Sequence, residues 1–382
     1  MKVLFIQKVK ALVGSEKYFL ELIPELEKRG IETEFICIYN TSDKEKTLPF
    51  IEAYKTKGLK INTLQVSSDK SIIRTLKFIK TVVSSDKFDL VHSHLIHADF
   101  WSSMLKRFNI IKCPIVSTKH GYDELYISRN GFDPNKIKPN LYYLMSKFSE
   151  KKIKKSFAVS NGLKQLFIDS KICKPENIST IHHGFNLPNI ETTPNSLYRH
   201  SKNQVVILGR IIPFKGHILA LKALTLVKHA IPNFKLLIIG HGDENLISDL
   251  KEFVSKNKLQ SNVEFIGYKS NIYDYLSNSD IMLVPSISEG FGLIFLEAMN
   301  ANLPIIGFDV PATNEIITDN RTGFLIPDYN INLMAKKIIE LFNNKPLRKT
   351  FSTAAKMKLN NYFSLDRMVT ETIAFYHDSI KA

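Results

Sequence analysis

The sequence predicts two doubly wound α/β domains of Rossmann-like design, and three observations carry that expectation. Short apolar or β-branched runs alternate with helical stretches through both halves, the pattern of parallel sheets with helices on their faces. At 382 residues the chain is too long for one core and suits two domains of ordinary size. Across residues 187–204 the texture changes to LPNIETTPNSLYRHSKNQ, rich in Pro, Asn, Ser and Thr without apolar period. The expected division is a first domain over 1–186, a linker over 187–204, a second domain over 205–363 and a closing helix over 364–382.

The chain opens with the apolar strand KVLFI and a loop that ends in Gly14-Ser15-Glu16. A helix, KYFLELIPELEKRG, follows and stops at Gly30, a suitable residue just past a helix end. TEFICIY, DLVHSH, PIVSTKH, SFAVS and ISTIHH read as the later strands of this half. The alternation then restarts with VVILGR, the helix HILALKALTLVKHA ending before Pro232, and the strand FKLLIIG. Ligands bind such sheets at the carboxyl ends of the strands, so two facing domains would share one cleft.

Composition narrows the classes. No apolar run approaches the ~18 residues that a membrane-spanning helix needs. MKVLFIQKVK is too short in its apolar part for a signal peptide, with Lys8 and Lys10 interrupting it. Cys37, Cys113 and Cys173 lie far apart and match no metal spacing, as expected of a reduced, cytoplasmic protein. The net charge of +15 is uneven, with 31 Lys and Arg against 19 Asp and Glu in residues 1–186. Much of the excess lies in KIKPNLYYLMSKFSEKKIKKSF, where lysines alternate with Tyr142, Tyr143, Leu144, Met145 and Phe148. If helical, this stretch suits an anionic lipid surface at the inner membrane face, and a solvated basic helix is the other reading. No motif for nucleic acid accompanies the charge.

The chemistry concentrates in IMLVPSISEGFGLIFLEAMNANLPII. IMLV reads as a buried strand ended by Pro285, Gly290 and Gly292 permit a tight turn, and LIFLEAMNA has helical composition. Free N–H groups and the positive end of a helix dipole at one spot suit a phosphate or a polar sugar. Glu289 in the turn and Glu297 about two helical turns on could grip two polyol groups of one extended ligand. Alone, the segment reads equally as a helix start with one terminal and one exposed acid. Arg210 and Lys215 follow the strand VVILG, where two cations could neutralise a departing diphosphate, or simply sit on a surface loop.

The order S-x-x-E-G-F-G-L-x-x-L-E-A-M, then LPIIGFDVPATNEII and TGFLIP, resembles the family-4 retaining glycosyltransferases of the GT-B fold. The resemblance extends to ILGRIIPFKGH, LLIIGHGDE, VEFIGYKSNIYDYLSNSDIML, DLVHSHL, STKHGYD and VGSEKYFLELIPELEKRG. It implies that Arg210, Lys215 and the helix start Gly290, Phe291, Gly292 and Leu293 take the donor diphosphate. It also implies that Gly14 lets backbone approach the donor, although Val13 stands where a second glycine is common. By the same resemblance Glu289 bonds donor-sugar hydroxyls, Glu297 bonds the ribose, and His120 stands at the reacting sugar. His94 would line the acceptor side, and His183 has no assigned role. The implied reaction moves a sugar with retention, without metal or other cofactor, from a UDP-, GDP- or ADP-linked donor to a glycan or lipid-linked acceptor, as in bacterial surface polysaccharide assembly. The alternatives are a nucleotide-sugar epimerase on the same fold and an inactive sugar-nucleotide-binding partner.

Overall fold

The computed structural model describes residues 1–381 except 13, 69–70, 123–132, 134–139, 187, 189 and 191–197. Contacts divide the chain into two units: one runs from Met1 to Asn186 and takes back the stretch from Ser364, and the other occupies the sequence between. Val13 and residues 191–197 of the predicted linker lie outside the described residues.

In the first unit the strands are β1 (Lys2–Lys8), β2 (Glu32–Asn40), β3 (Ile61–Val66), β4 (Leu90–His94), β5 (Ile115–Lys119), β6 (Lys155–Ala158) and β7 (Ile178–Thr180). They form one parallel sheet in the order β3-β2-β1-β4-β5-β6-β7. β1 is buried along six of its seven residues, as expected of a strand covered on both faces. The helix Gly14–Lys28 ends as predicted at Gly30, whose φ of +78° lets Ile31 N–H donate to Leu26 O and Gly30 N–H to Glu27 O. The closing helix, Leu365–Lys381, packs Met368, Val369 and Tyr376 into the core formed by Phe5, Tyr18 and Phe19. Arg367 donates to His182 O, and Gly184 lies against the backbone of Ser364 where a Cβ would meet its oxygen at 2.0 Å.

The second unit holds β8 (Asn203–Leu208), β9 (Phe234–Ile239), β10 (Val263–Gly267), β11 (Ile281–Val284), β12 (Ile305–Phe308) and β13 (Gly323–Ile326). Their parallel order is β10-β9-β8-β11-β12-β13. β8 begins at Asn203, so the last two residues of the expected linker belong to the sheet. Val205, Ile207, Leu236, Ile238 and Leu283 pack beneath the helix His217–Ala230, which presents Ala220, Leu221, Leu224 and Val227. In each sheet the strand order reverses once, between β1 and β4 and between β8 and β11. Those two reversals are the crevices where doubly wound sheets receive ligands.

The basic stretch is not one helix. It contains the helix Leu141–Glu150, a turn, and then β6 from Lys155; residues 136–139 lie outside the described residues. Phe148 faces inward against Phe100, whereas Leu141 and Leu144 are 70% and 59% exposed beside the exposed Lys151 and Lys152. Among the described residues no helix is long and apolar enough to cross a membrane.

The glycines at the second reversal carry steric consequences. Gly216 has φ +68°, and a Cβ there would lie 1.9 Å from Pro285 O. Gly30 also has positive φ, yet a Cβ there meets nothing within 4 Å. Gly30→Ala should therefore cost about 1 kcal/mol, the backbone term alone, and Gly216→Ala ~4 kcal/mol or more. Urea unfolding of both variants measures the gap; equal losses would mean that the loop yields freely.

Candidate functional site

The second reversal builds its site from two loops. After β8 come Gly209 and the exposed Arg210, then a one-turn helix Pro213–Lys215, and Gly216 as the N-cap of the helix His217–Ala230. After β11 come Pro285 and the serine-rich turn to Glu289, with Gly292 (φ +87°) as the N-cap of the helix Leu293–Asn300. Ile287 N–H donates to Phe214 O at 2.9 Å, and Gly216 lies against Pro285 O, so the loops are held backbone to backbone. The neighbouring loop after β9 joins in the same way: a Cβ at Gly240 would lie 1.8 Å from Gly209 O.

This contact brings Lys215 Nζ to 2.6 Å from Glu289 Oε1, with side chains only 16% and 5% exposed. Two groups 74 residues apart in sequence thus form one buried ion pair. Neither helix start beside the pair has a side-chain cap. The Leu219 and Phe295 N–H groups donate back to Gly216 O and Gly292 O, so the N–H groups before them and the positive dipole ends are what each start offers an anion. Gly292 cannot be replaced without strain, because a Cβ would strike the Phe295 ring at 2.6 Å. Phe291 turns its side chain inward against Phe363, so only its backbone can serve a ligand at the turn. Gly290 and Leu293 flank it, both partly exposed.

Glu297 lies on the helix Leu293–Asn300, two turns from Glu289, and is partly exposed. Beside it is Tyr273, whose phenol burial pushes up to about 12, with the Glu297 charge adding to the shift and an Asn300 hydrogen bond opposing it. Sequence reasoning missed Tyr273 and also His217. The latter is 2% exposed, directly follows the Lys215–Gly216 turn, and lines a small pocket with Lys215, Gly209, Pro285 and Ile294. Among the described residues neither of its ring nitrogens has a hydrogen-bond partner, and burial together with the Lys215 charge holds it neutral, down to about 4. Its place one residue past the Lys-Gly pair was the available signal.

At the first reversal, His94 ends β4 and His120 follows β5. His94 Nδ1 lies 3.0 Å from His120 Nε2, so the two rings meet edge to edge, with centroids 5.2 Å apart and planes at 25°. His183, given no role from sequence, stacks on His120 with ring centroids 5.4 Å apart and planes at 17°. Tyr18, from the helix that Gly14 begins, closes the edge at 5.0 Å from His120. His94 is fully buried, so any part it plays runs through His120 rather than through direct touch with an acceptor. His92 lies deeper and ties the closing helix to the sheet, bonding Tyr376 Oη and Thr118 Oγ1, each at 2.7 Å. His97 belongs to the next helix, against Trp101 and Tyr142. Beneath His120, Lys119 pairs with Asp99 at 2.7 Å and Glu150 at 2.6 Å, pinning the end of β5 to two helices.

Burial drives all four clustered histidines toward the neutral form, His120 down to about 3 and His92, His94 and His183 well below the usual range. Above about pH 6.5 the rings are neutral whether folded or not. Below it the unfolded chain takes up protons that the folded one refuses until its own values are reached. Stability should therefore fall from pH 6.5 toward 4 more steeply than the ~1.4 kcal/mol per unit of a single proton. Denaturant unfolding followed by Trp101 fluorescence at several pH values measures the slope, and a flat profile to pH 5 would contradict the buried neutral cluster.

Two family models match the chain in succession: Glycosyltransferase Family 4 over residues 13–188 and Glycosyl transferases group 1 over residues 189–358. Among curated relatives, an uncharacterized glycosyltransferase of Methanocaldococcus jannaschii, MJ1178, is 29% identical over 80% of each chain. The UDP-Gal:alpha-D-GlcNAc-diphosphoundecaprenol alpha-1,3-galactosyltransferase of Escherichia coli is 23% identical over 100% of this chain and 97% of its own. Among solved structures, Anabaena HepE in complex with UDP and glucose shares the fold at a TM-score of 0.80 and 16% identity, covering 99% of this chain and 100% of HepE. With both halves matched and that fold shared, the chain belongs to the family-4 glycosyltransferases of the GT-B fold.

Proposed function

We propose that the chain transfers a sugar, with retention of anomeric configuration, from a nucleoside-diphosphate donor to a glycan or lipid-linked acceptor of a bacterial surface polysaccharide. The buried Lys215–Glu289 pair carries this reading, because it places a cation and a carboxylate together beside two uncapped helix starts. Phosphate oxygens need the first, the N–H groups and Arg210; sugar hydroxyls need the second. Protein cations then serve where a metal would otherwise balance the diphosphate, so no metal or other cofactor takes part. UDP, GDP and ADP donors all fit these contacts, and the UDP bound by HepE favours trying UDP first. The E. coli relative, named for a diphosphoundecaprenol acceptor, favours a lipid-linked one.

In this mechanism Glu289 accepts from donor-sugar hydroxyls, Glu297 from the ribose, and His120 acts on the reacting sugar. The bond from the anomeric carbon to the phosphate oxygen breaks, and the acceptor oxygen bonds to the same face. The acceptor's proton passes to the departing phosphate. Neither glutamate becomes covalently attached.

Lys215→Ala and Arg210→Ala should each lower turnover by ~10²-fold or more, the usual loss when a charge-stabilising group is removed. Radiolabelled UDP-sugars with a bacterial lipid extract measure transfer, and the product's anomeric proton coupling reports configuration. An inverted product would overturn retention, and persistence of activity in EDTA supports the metal-free route. Epimer formed without acceptor would replace the proposal with an epimerase.

For a lipid-linked acceptor, the exposed Leu141 and Leu144 with Lys151 and Lys152 form the surface that meets anionic headgroups at the inner membrane face. Binding to phosphatidylglycerol vesicles should weaken steeply with salt and on Leu144→Glu. Equal binding to phosphatidylcholine vesicles would remove this surface from the proposal.

A further inference from the structure

The ion pair at the donor site also imposes a condition on which ligands can stay. Glu289 is 5% exposed and its carboxylate lies against Lys215 at 2.6 Å. Withdrawing one partner of a buried pair leaves the other charge uncompensated, which is strongly unfavourable. His217 cannot take over as a cation, because its ring is buried beside Lys215 and held neutral. Arg210 is assigned to the phosphates in the donor-site reading, and Glu297 is itself a carboxylate, so neither compensates Glu289. With the N–H groups of the helix starts taken by the phosphates in the same reading, a ligand that draws Lys215 away must itself supply hydrogen-bond donors to Glu289.

We propose that the Lys215–Glu289 pair is an exchange latch that selects a sugar-bearing nucleoside diphosphate over the bare nucleoside diphosphate. The inference rests on the donor-site reading above. When a sugar nucleotide binds, its phosphates take the ammonium and its sugar hydroxyls donate to the carboxylate. Each charge keeps a partner. A bare nucleoside diphosphate presents only acceptor oxygens at that end, and its terminal phosphate carries extra negative charge. Engaging Lys215 would then leave Glu289 buried without a donor and close to that phosphate. After transfer the sugar hydroxyls depart with the product, Lys215 returns to Glu289, and the spent diphosphate is released. The pair thus balances charge in the empty site and disfavours retention of the leaving group.

The test is calorimetric titration of wild type and E289Q with UDP, GDP and ADP, and with a panel of their common sugar conjugates. Glutamine keeps the size of the side chain but has no charge that needs the ammonium. Melting curves establish that the variant is folded. The expected result is that E289Q binds the bare diphosphate at least tenfold tighter than wild type, while the tightest sugar nucleotide is unchanged or weaker. The preference for the sugar-bearing ligand then collapses. Unaltered diphosphate affinity in E289Q overturns the latch, as does equal tightening of both ligand types, which would be a general charge effect. If no diphosphate of any base binds either protein, the donor-site reading itself fails and the latch with it. Binding without the predicted shift removes the latch alone.

Discussion

The close approach of the loops after β8 and β11 is the constraint on which the site of the second unit depends. Gly216 lets the start of one helix press against Pro285, and the Ile287 to Phe214 hydrogen bond fastens the same junction. From that contact follow the Lys215–Glu289 pair, two helix starts without side-chain caps, and the neutral His217 behind them. Elsewhere the loops could change length at modest cost. Here a methyl group in the wrong place would separate the charges.

The first unit meets its own constraint with aromatic packing rather than glycines. Four histidines at the ends of β4 and β5 and near β7 pack against Phe5, Tyr18 and Phe19, mostly edge-on or tilted, and burial keeps them neutral. The closing helix is part of this arrangement, since Tyr376 bonds His92 from a position 284 residues further along the chain. The charged triplet Lys119, Asp99 and Glu150 then holds the end of β5, and His120 with it. A charge buried there is tolerated because each member has a partner. His120 is thus positioned by groups from helices, strands and the chain's own C-terminal end.

Much of the fold was legible because parallel strands covered on both faces must be continuously apolar, and KVLFI and IMLV are. The helix over residues 217–230 and the stop at Gly30 were legible for local reasons of period and capping. The basic stretch divides between a helix and β6 because Lys155 begins a strand, and the pairing of that strand is a long-range fact. His183 and Tyr273 gave no local sign, since their significance comes from neighbours more than twenty residues away in sequence or on another element.

By itself, the sequence determined the two doubly wound sheets, the loops that carry Arg210, Lys215 and Glu289, and the glycines that shape those loops. These are local properties, set by apolar period, turn chemistry and the order of motifs along the chain. Only the tertiary structure decided that Lys215 and Glu289 touch, that His94 and His183 both contact His120, and that His217 is buried beside the ion pair. Each of these depends on strand order at a reversal, where segments distant in sequence become adjacent. A buried charge or ring takes its protonation state from those neighbours, and no local pattern encodes them.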